Sequence, residues 1–136
     1  MDKLTLFLIA GLLLIAACAP KATEGPVPAP TTGEACTTKE CFFAAANACK
    51  EARLSLTEEA GTFTYRVSAG CTFTKTLDTP DPSETQELQK LLKGASMTCS
   101  YTQGKFDSRL VNSLVFGIEK CQGRLREILA QLAVFA

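Results

Sequence analysis

The chain has 136 residues, equal numbers of basic and acidic side chains, and neither histidine nor tryptophan. Because there is no basic excess, the sequence carries no electrostatic footprint for nucleic acid, and no nucleic-acid partner is expected. The absence of histidine excludes Ser-His-Asp and Cys-His catalysis and removes the commonest metal ligand.

An apolar run over residues 4–17 follows Lys3 and ends in Ile15-Ala16-Ala17-Cys18. At ~1.5 Å per residue its helix would reach about 21 Å, which is short of the ~30 Å hydrocarbon core of a membrane. The run is therefore predicted to be the apolar region of a signal peptide.

The end of this run resembles the lipobox of prokaryotic lipoproteins, in which an aliphatic residue and two small residues precede an obligatory cysteine. The resemblance covers residues 1–18 and implies cleavage after Ala17 and a diacylglyceryl group on the Cys18 thiol. It predicts a protein anchored by lipid to the extracytoplasmic face of a cell-envelope membrane. The alternative is an ordinary signal peptide that leaves Cys18 as a free cysteine.

Residues 18–35 are predicted to form a tether between the lipidated cysteine and the domain. The segment has no apolar periodicity and contains Pro20, Pro26, Pro28 and Pro30, four of the six prolines of the chain. Extended at ~3.1 Å per residue, it would span roughly 50 Å. The remaining residues 36–136 are predicted to form a single cysteine-rich domain.

The apolar spacing predicts helices and strands in alternation along this domain. A helix with Thr37 as N-cap and Glu40 as its capping-box partner is followed by a three-stranded antiparallel meander with period-two alternation. A helix over residues 83–93, capped by Asp81 and burying Leu88, Leu91 and Leu92, leads to a fourth strand around Met97 and Cys99.

The last third is predicted to be helical, with Leu110, Leu114, Ile118 and Cys121 on one stripe and a break at Gly123. The apolar C-terminal residues 133–136 are expected to dock on the core. The fold class is thus α+β, an antiparallel sheet of about four strands covered on one face by helices, in the order α-β-β-β-α-β-α-α.

Six cysteines remain when Cys18 is set aside, and an even number in an exported chain predicts three disulfides rather than reduced thiols. Cys41 and Cys49 would lie ~12 Å apart on one helix, too far to bridge. Strand topology favours Cys49–Cys71 and Cys99–Cys121, which leaves Cys36–Cys41, although twelve of the fifteen possible pairings stay open. The candidates are Cys36, Cys41, Cys49, Cys71, Cys99 and Cys121.

Metal and redox sites find little support in the sequence. The cysteine spacings contain no C-x-x-C motif and no zinc-like cluster. Asp78, Asp81 and Glu84 lack the alternating pattern of a calcium loop, and helix capping accounts for two of them. The Glu58-Glu59 pair has no nucleophile beside it, so no catalytic residue, metal or cofactor is predicted.

Threonines dominate the solvent side of the predicted sheet. They form a possible flat binding face for a sugar, a polymer or a protein, although strand propensity alone also explains them. The face comprises Thr62, Thr64, Thr72, Thr74 and Thr76, with Thr98 and Thr102 beside them.

Beyond the lipobox, the chain loosely resembles small uncharacterised cysteine-rich envelope lipoproteins of archaeal and bacterial genomes, through segments such as Ser96-Met97-Thr98-Cys99. This resemblance implies no particular activity. The sequence therefore favours a non-enzymatic binding or structural module with an unknown protein or polymer partner. The alternatives are an envelope redox protein or enzyme, and an accessory subunit of a membrane complex.

Overall fold

The computed structural model describes residues 33–135, which form an α+β domain with a six-stranded sheet and four α-helices. A 3₁₀ turn over Ile118–Lys120 precedes the last strand. The other elements in chain order are β1 (Glu34–Cys36), α1 (Lys39–Asn47), β2 (Ala52–Glu58), β3 (Gly61–Ser68), β4 (Thr72–Pro80), α2 (Gln86–Leu92), β5 (Ala95–Ser100), α3 (Arg109–Asn112), β6 (Cys121–Gln122) and α4 (Arg124–Phe135).

The strands lie in the sheet in the order in which they occur along the chain. Strands β2 to β5 form an antiparallel meander, as the alternation predicts, and β6 adds to it antiparallel, whereas β1 pairs with β2 in parallel. The prediction of about four strands in a purely antiparallel sheet is therefore wrong in detail. Strands β1 and β6 have only three and two residues, too few for a period of two to show.

One face of the sheet holds the core. Its strands place Phe63, Tyr65 and Phe73 inward, each with none of its surface exposed, and Phe42 of α1 packs against two of these rings. Helices α2, α3 and α4 add Leu92, Leu110, Val111, Leu125, Ile128 and Leu129 to the same cluster. The prediction that helices cover one face of the sheet is confirmed.

The helix N-caps lie one to four residues further along the chain than predicted. Thr38, and not Thr37, caps α1 by accepting a hydrogen bond from the Cys41 N–H at 3.2 Å. Thr85 caps α2 in the same way, while Asp81 accepts from the Ser83 N–H at 2.7 Å and closes the preceding turn. Leu91, which was predicted to be buried, is 42% exposed, while Leu92 lies in the core.

The long helix predicted from Leu110 to Cys121 does not form. Helix α3 ends after four residues because Ser113 adopts an extended backbone and Gly117 adopts a left-handed φ of 86°, a conformation that suits glycine. The predicted apolar stripe is nevertheless largely buried, since Leu110, Ile118 and Cys121 reach the core from separate short elements.

Ala133 and Val134 near the end of α4 do not dock on the core, contrary to the prediction. Leu132 is 40% exposed and Val134 is 80% exposed. Ile128 and Leu129, one turn earlier, are the last residues of α4 in the core. The helix therefore runs beyond the sheet and carries apolar side chains into solvent.

Three disulfides join all six cysteines of the domain: Cys36–Cys41, Cys49–Cys71 and Cys99–Cys121. These are the two pairs that strand topology favours, Cys49–Cys71 and Cys99–Cys121, and the pair that is then left over. Cys99 and Cys121 are directly opposite each other on β5 and β6, which corrects the predicted placement of Cys121 on a helix. Cys18 and the predicted signal peptide lie outside the described residues, and no helix within residues 33–135 is long and apolar enough to cross a membrane.

Candidate binding face on the uncovered side of the sheet

The side of the sheet away from the helices, here called the open face, carries almost only polar side chains. Alternation places the apolar residues of β2 to β5 inward, so the residues between them share the opposite face. From β2 to β6 they are Arg53, Ser55 and Thr57; Thr62, Thr64, Arg66 and Ser68; Thr72, Thr74, Thr76 and Asp78; Ser96, Thr98 and Ser100; and Gln122.

The hydroxyl groups of the open face form rows across the strands. Thr57 and Thr62 hydroxyls lie 3.0 Å apart, those of Ser55 and Thr64 3.2 Å, and those of Thr74 and Thr98 3.5 Å. Neighbouring strands are ~4.8 Å apart and alternate residues of a strand ~6.8 Å apart. The face is therefore a regular array of hydroxyls, with spacings comparable to the dimensions of a sugar ring.

Arg53 and Arg66 occupy directly opposed positions on β2 and β3, in the row that continues through Thr74, Thr98 and Gln122. Both side chains are exposed. Among the described residues, the only salt bridges are Lys39–Glu58 and Arg109–Asp107, so neither arginine of the row has a carboxylate partner there. Like charges directly opposite on antiparallel strands repel each other.

The structure brings the five predicted face residues together on β3 and β4, but they are not equivalent. Thr62, Thr72, Thr74 and Thr76 are half-buried, whereas Thr64 is 7% exposed and donates its hydroxyl to Asp78 Oδ2 at 2.6 Å. Asp78 is the extra residue of a β-bulge on β4, between the Thr62–Thr79 and Phe63–Leu77 pairs. Thr102 lies beyond β5 and outside the sheet.

No protein-family model, curated protein or solved structure matches this chain. No relative therefore assigns a role to any of these residues. The chemistry of the open face and of the charged groups elsewhere in the domain is the remaining guide to function.

A buried lysine on the covered face is the one charged group in the core cluster of the described residues. Lys75 is 1% exposed, and its ammonium donates to the carbonyl oxygens of Leu110 at 3.3 Å and Ser113 at 3.0 Å. The ammonium also lies 4.9 Å from the centre of the Phe63 ring and 5.6 Å from that of Tyr65, where ring faces attract cations.

Two further charged groups face this lysine. Glu58 at the end of β2 accepts from the Tyr65 hydroxyl at 3.4 Å and from the Lys39 ammonium at 3.4 Å, and Lys39 also donates to Asn112 Oδ1 at 3.2 Å. Burial lowers the pKa of Lys75 to about 8. The negative charge of Glu58 acts to raise this pKa, and the positive charge of Lys39 acts to lower it further. Burial and the neighbouring Glu58 carboxylate together raise the pKa of Tyr65 well above its usual range.

These contacts make Lys75 a structural cation. Both of its hydrogen-bond acceptors are backbone carbonyls at the end of α3, and the side chain has almost no surface through which a substrate could reach it. This role of Lys75 was not predicted, although the sequence carries a signal for it, because Lys75 stands in the same phase as the inward Phe73 and Leu77.

A cleft of about 330 Å³ lies at the end of β5, lined by Tyr101, Lys105, Asp107, Arg109, Glu119 and Lys120. Charges of both signs line it, and Arg109 is held by Asp107 through contacts of 2.7–3.1 Å that lower the pKa of the Asp107 carboxyl. Within residues 33–135, no three acidic or cysteine side chains are grouped as metal ligands. Lys105 and Lys120 of this cleft, like Arg53 and Arg66 of the open face, form no salt bridge among the described residues, but the cleft also carries the carboxylates of Asp107 and Glu119.

Proposed function

We propose that the chain is a lipid-anchored, extracytoplasmic lipoprotein that acts as a non-enzymatic binding module. The diacylglyceryl group on Cys18 holds it at a cell-envelope membrane, and the proline-rich tether raises the domain above the lipid headgroups. The open face binds a polymer or protein partner outside the cell. No cofactor takes part.

The observation that carries the anchoring proposal is the pairing of cysteines. All six cysteines after Cys18 are joined to one another, which supports an oxidising compartment. The seventh cysteine is the one that ends the lipobox-like sequence. A single acyl chain gives only marginal membrane binding, whereas the two chains of a diacylglyceryl group hold a protein stably.

The open face supports the binding part of the proposal. It spans five strands, no helix of the described chain covers it, and its side chains offer hydroxyl, amide and guanidinium groups. Its counterpart, the covered face, buries every aromatic ring of the sheet. Exposed donors and acceptors in a rigid array suit recognition of a polar partner, since a sheet holds them in fixed positions.

Metabolic labelling with an alkyne fatty acid tests the anchor. The full chain should incorporate the label and stay with the membrane fraction through a high-salt wash. The Cys18→Ser variant should incorporate none. A Cys36→Ser/Cys41→Ser variant, which removes two cysteines of the domain, should be labelled as the wild type is. Equal labelling of the Cys18→Ser variant would contradict the proposal.

A second candidate function is an accessory subunit of a membrane complex, favoured by the exposed apolar end of α4. Leu132 and Val134 lie beyond the last core residue of that helix. A chain that ends after Gln131 should then lose co-purification with the complex while its disulfides and melting temperature are unchanged. An envelope redox protein or enzyme is less favoured, because each cysteine of the described domain is already in a disulfide.

A further inference from the structure

The arginine pair of the open face identifies the class of partner. We propose that the open face binds an acidic polysaccharide whose sugar rings carry carboxylate groups, with Arg53 and Arg66 gripping one carboxylate and the adjoining hydroxyl rows holding the sugar hydroxyls. This inference rests on the proposed function, because it assigns a ligand to the face that the proposed module presents.

The charge arrangement supports an anionic ligand. Arg53 and Arg66 face each other across β2 and β3, both are exposed, and no described carboxylate lies within salt-bridge distance of either. Their mutual repulsion is relieved when an anion sits between them. A guanidinium presents two parallel N–H donors, and a carboxylate presents two oxygens at matching spacing, so the two groups combine in a bidentate geometry.

Asp78, the one acidic side chain within the strands of the open face, does not neutralise this pair. Asp78 follows Thr74 by four positions along β4, and Thr74 is the residue paired with Arg66. At ~3.4 Å per residue the separation is about 14 Å, beyond the ~8 Å screening length at physiological ionic strength. Asp78 also accepts the Thr64 hydroxyl. Glu51, two residues before Arg53, forms no salt bridge with either arginine, so the pair is available to an anion.

The composition of the face selects a sugar polymer over other polyanions and over neutral glycans. Beside the arginines lie Thr74, Thr76, Ser96 and Thr98, whose hydroxyls both donate and accept hydrogen bonds. Because the sheet directs its aromatic rings to the covered face, the open face offers no platform on which nucleic-acid bases could stack. A neutral sugar would lack such a platform too, so charge must supply the affinity.

Binding of the full mature protein, in a non-ionic detergent, to polygalacturonate tests this inference by isothermal titration calorimetry at low salt. The matched probe is the same polymer with its carboxyl groups methyl-esterified, which removes the charge and keeps the backbone. We expect binding to polygalacturonate that weakens as salt is added, and at least tenfold weaker binding to the ester. Equal binding to both polymers would overturn the assignment of carboxylate recognition.

Variants separate the arginine pair from overall charge. The Arg53→Gln/Arg66→Gln variant should lose at least tenfold in affinity, whereas Lys93→Gln/Arg124→Gln, which removes two exposed charges from helix ends, should bind as the wild type does. The Arg53→Lys/Arg66→Lys variant keeps the charge but loses the two parallel N–H donors of each guanidinium, so its affinity should fall by about threefold or more. All four residues are exposed, so melting temperature and disulfide content should be unchanged.

The remaining outcomes are also decisive. If dextran sulfate or single-stranded DNA binds as tightly as polygalacturonate, and the Arg53→Lys/Arg66→Lys variant binds all of these polymers as the wild type does, the face is a general polyanion site and the polysaccharide assignment is wrong. Absence of binding to every polymer overturns this inference and leaves the lipid anchor to the labelling experiment. If the wild-type chain incorporates no acyl label but binds polygalacturonate, the lipid anchor is rejected and the assignment of the ligand stands.

Discussion

Both faces of the sheet carry cationic side chains, but these differ in how far they are buried and in whether they have bonding partners within the fold. On the covered face Lys75 is buried, is bonded to two backbone carbonyls and lies against two aromatic rings. On the open face Arg53 and Arg66 are exposed, and neither has a described carboxylate partner. A buried charge has to find partners within the fold, whereas an exposed pair keeps its hydrogen-bonding capacity for another molecule. The comparison separates structural charge from charge available for binding.

The largest expected difference between the two faces is in packing. Phe73→Ala should lower the free energy of unfolding by about 3–5 kcal/mol, because the ring is fully buried against Phe42, Tyr65 and Phe106. Thr74→Ala, at the next position but on the open face, should change it by no more than about 0.5 kcal/mol. Urea unfolding of the mature chain with Cys18→Ser measures both. Similar losses for the two variants would contradict the assignment of faces.

Two of the disulfides differ in exposure, and their ease of reduction tests how well the covered face excludes solvent. Cys99 and Cys121 are 3% and 5% exposed on the covered face, whereas Cys49 and Cys71 are half-buried. Graded reduction followed by alkylation and peptide mapping should open Cys49–Cys71 before Cys99–Cys121. Each bridge closes a separation of 22 residues, so removing either by paired Cys→Ser changes should cost about 3 kcal/mol. Earlier opening of Cys99–Cys121 would show that the covered face is open to solvent.

The pH dependence of stability reports on the buried lysine. Burial lowers the pKa of Lys75 to about 8, so between pH 8 and 10 the unfolded chain binds more protons at this residue than the folded chain does. The free energy of unfolding should therefore rise with pH in that window, by about 2 kcal/mol. Above pH 10 the raised pKa of Tyr65 acts in the opposite direction, because the unfolded tyrosine loses its proton first.

The Lys75→Met variant isolates this contribution. It should remove the rise between pH 8 and 10, and Lys93→Met, at an exposed position, should leave the rise intact. Urea unfolding at a series of pH values provides the measurement. A rise that persists in Lys75→Met would assign the effect to another group.

The smallest expected effect concerns the arginine pair. Arg66→Thr should raise the free energy of unfolding by about 0.2–1 kcal/mol at low salt, because it removes the repulsion from Arg53 and introduces a residue that suits a strand. The gain should shrink as salt screens the two charges. A salt-independent change, or a loss of stability, would show that the two side chains do not face each other.

The sequence predicted those features that depend on a short repeating pattern. The alternation around Phe63 and Phe73 identified the meander and its two faces, and the positions of Cys49 and Cys71 next to strand ends indicated their pairing. It did not predict β1 and β6, because they are too short to repeat. It also joined Leu110 and Ile118 into one helix, because residues buried from separate turns can imitate helical spacing.

The candidate site was predicted only in part, because alternation shows which face a residue lies on but not which residues of two strands stand opposite each other. Alternation indicated the threonines of the open face, but the opposition of Arg53 and Arg66 depends on the register between β2 and β3. Residues 58–61 indicated the turn between these strands, but alternation alone does not fix this register. The burial of Thr64 likewise depends on the bulge at Asp78, which no local pattern signals.

The most direct test of the account is mass spectrometry of the protein extracted from membranes, on the intact chain and on its peptides, without reduction. The account predicts a chain that begins at Cys18, carries acyl groups and is six hydrogens lighter than its reduced form, with peptides joined as Cys36–Cys41, Cys49–Cys71 and Cys99–Cys121. A chain without lipid and with free thiols would contradict both the anchor and the disulfides.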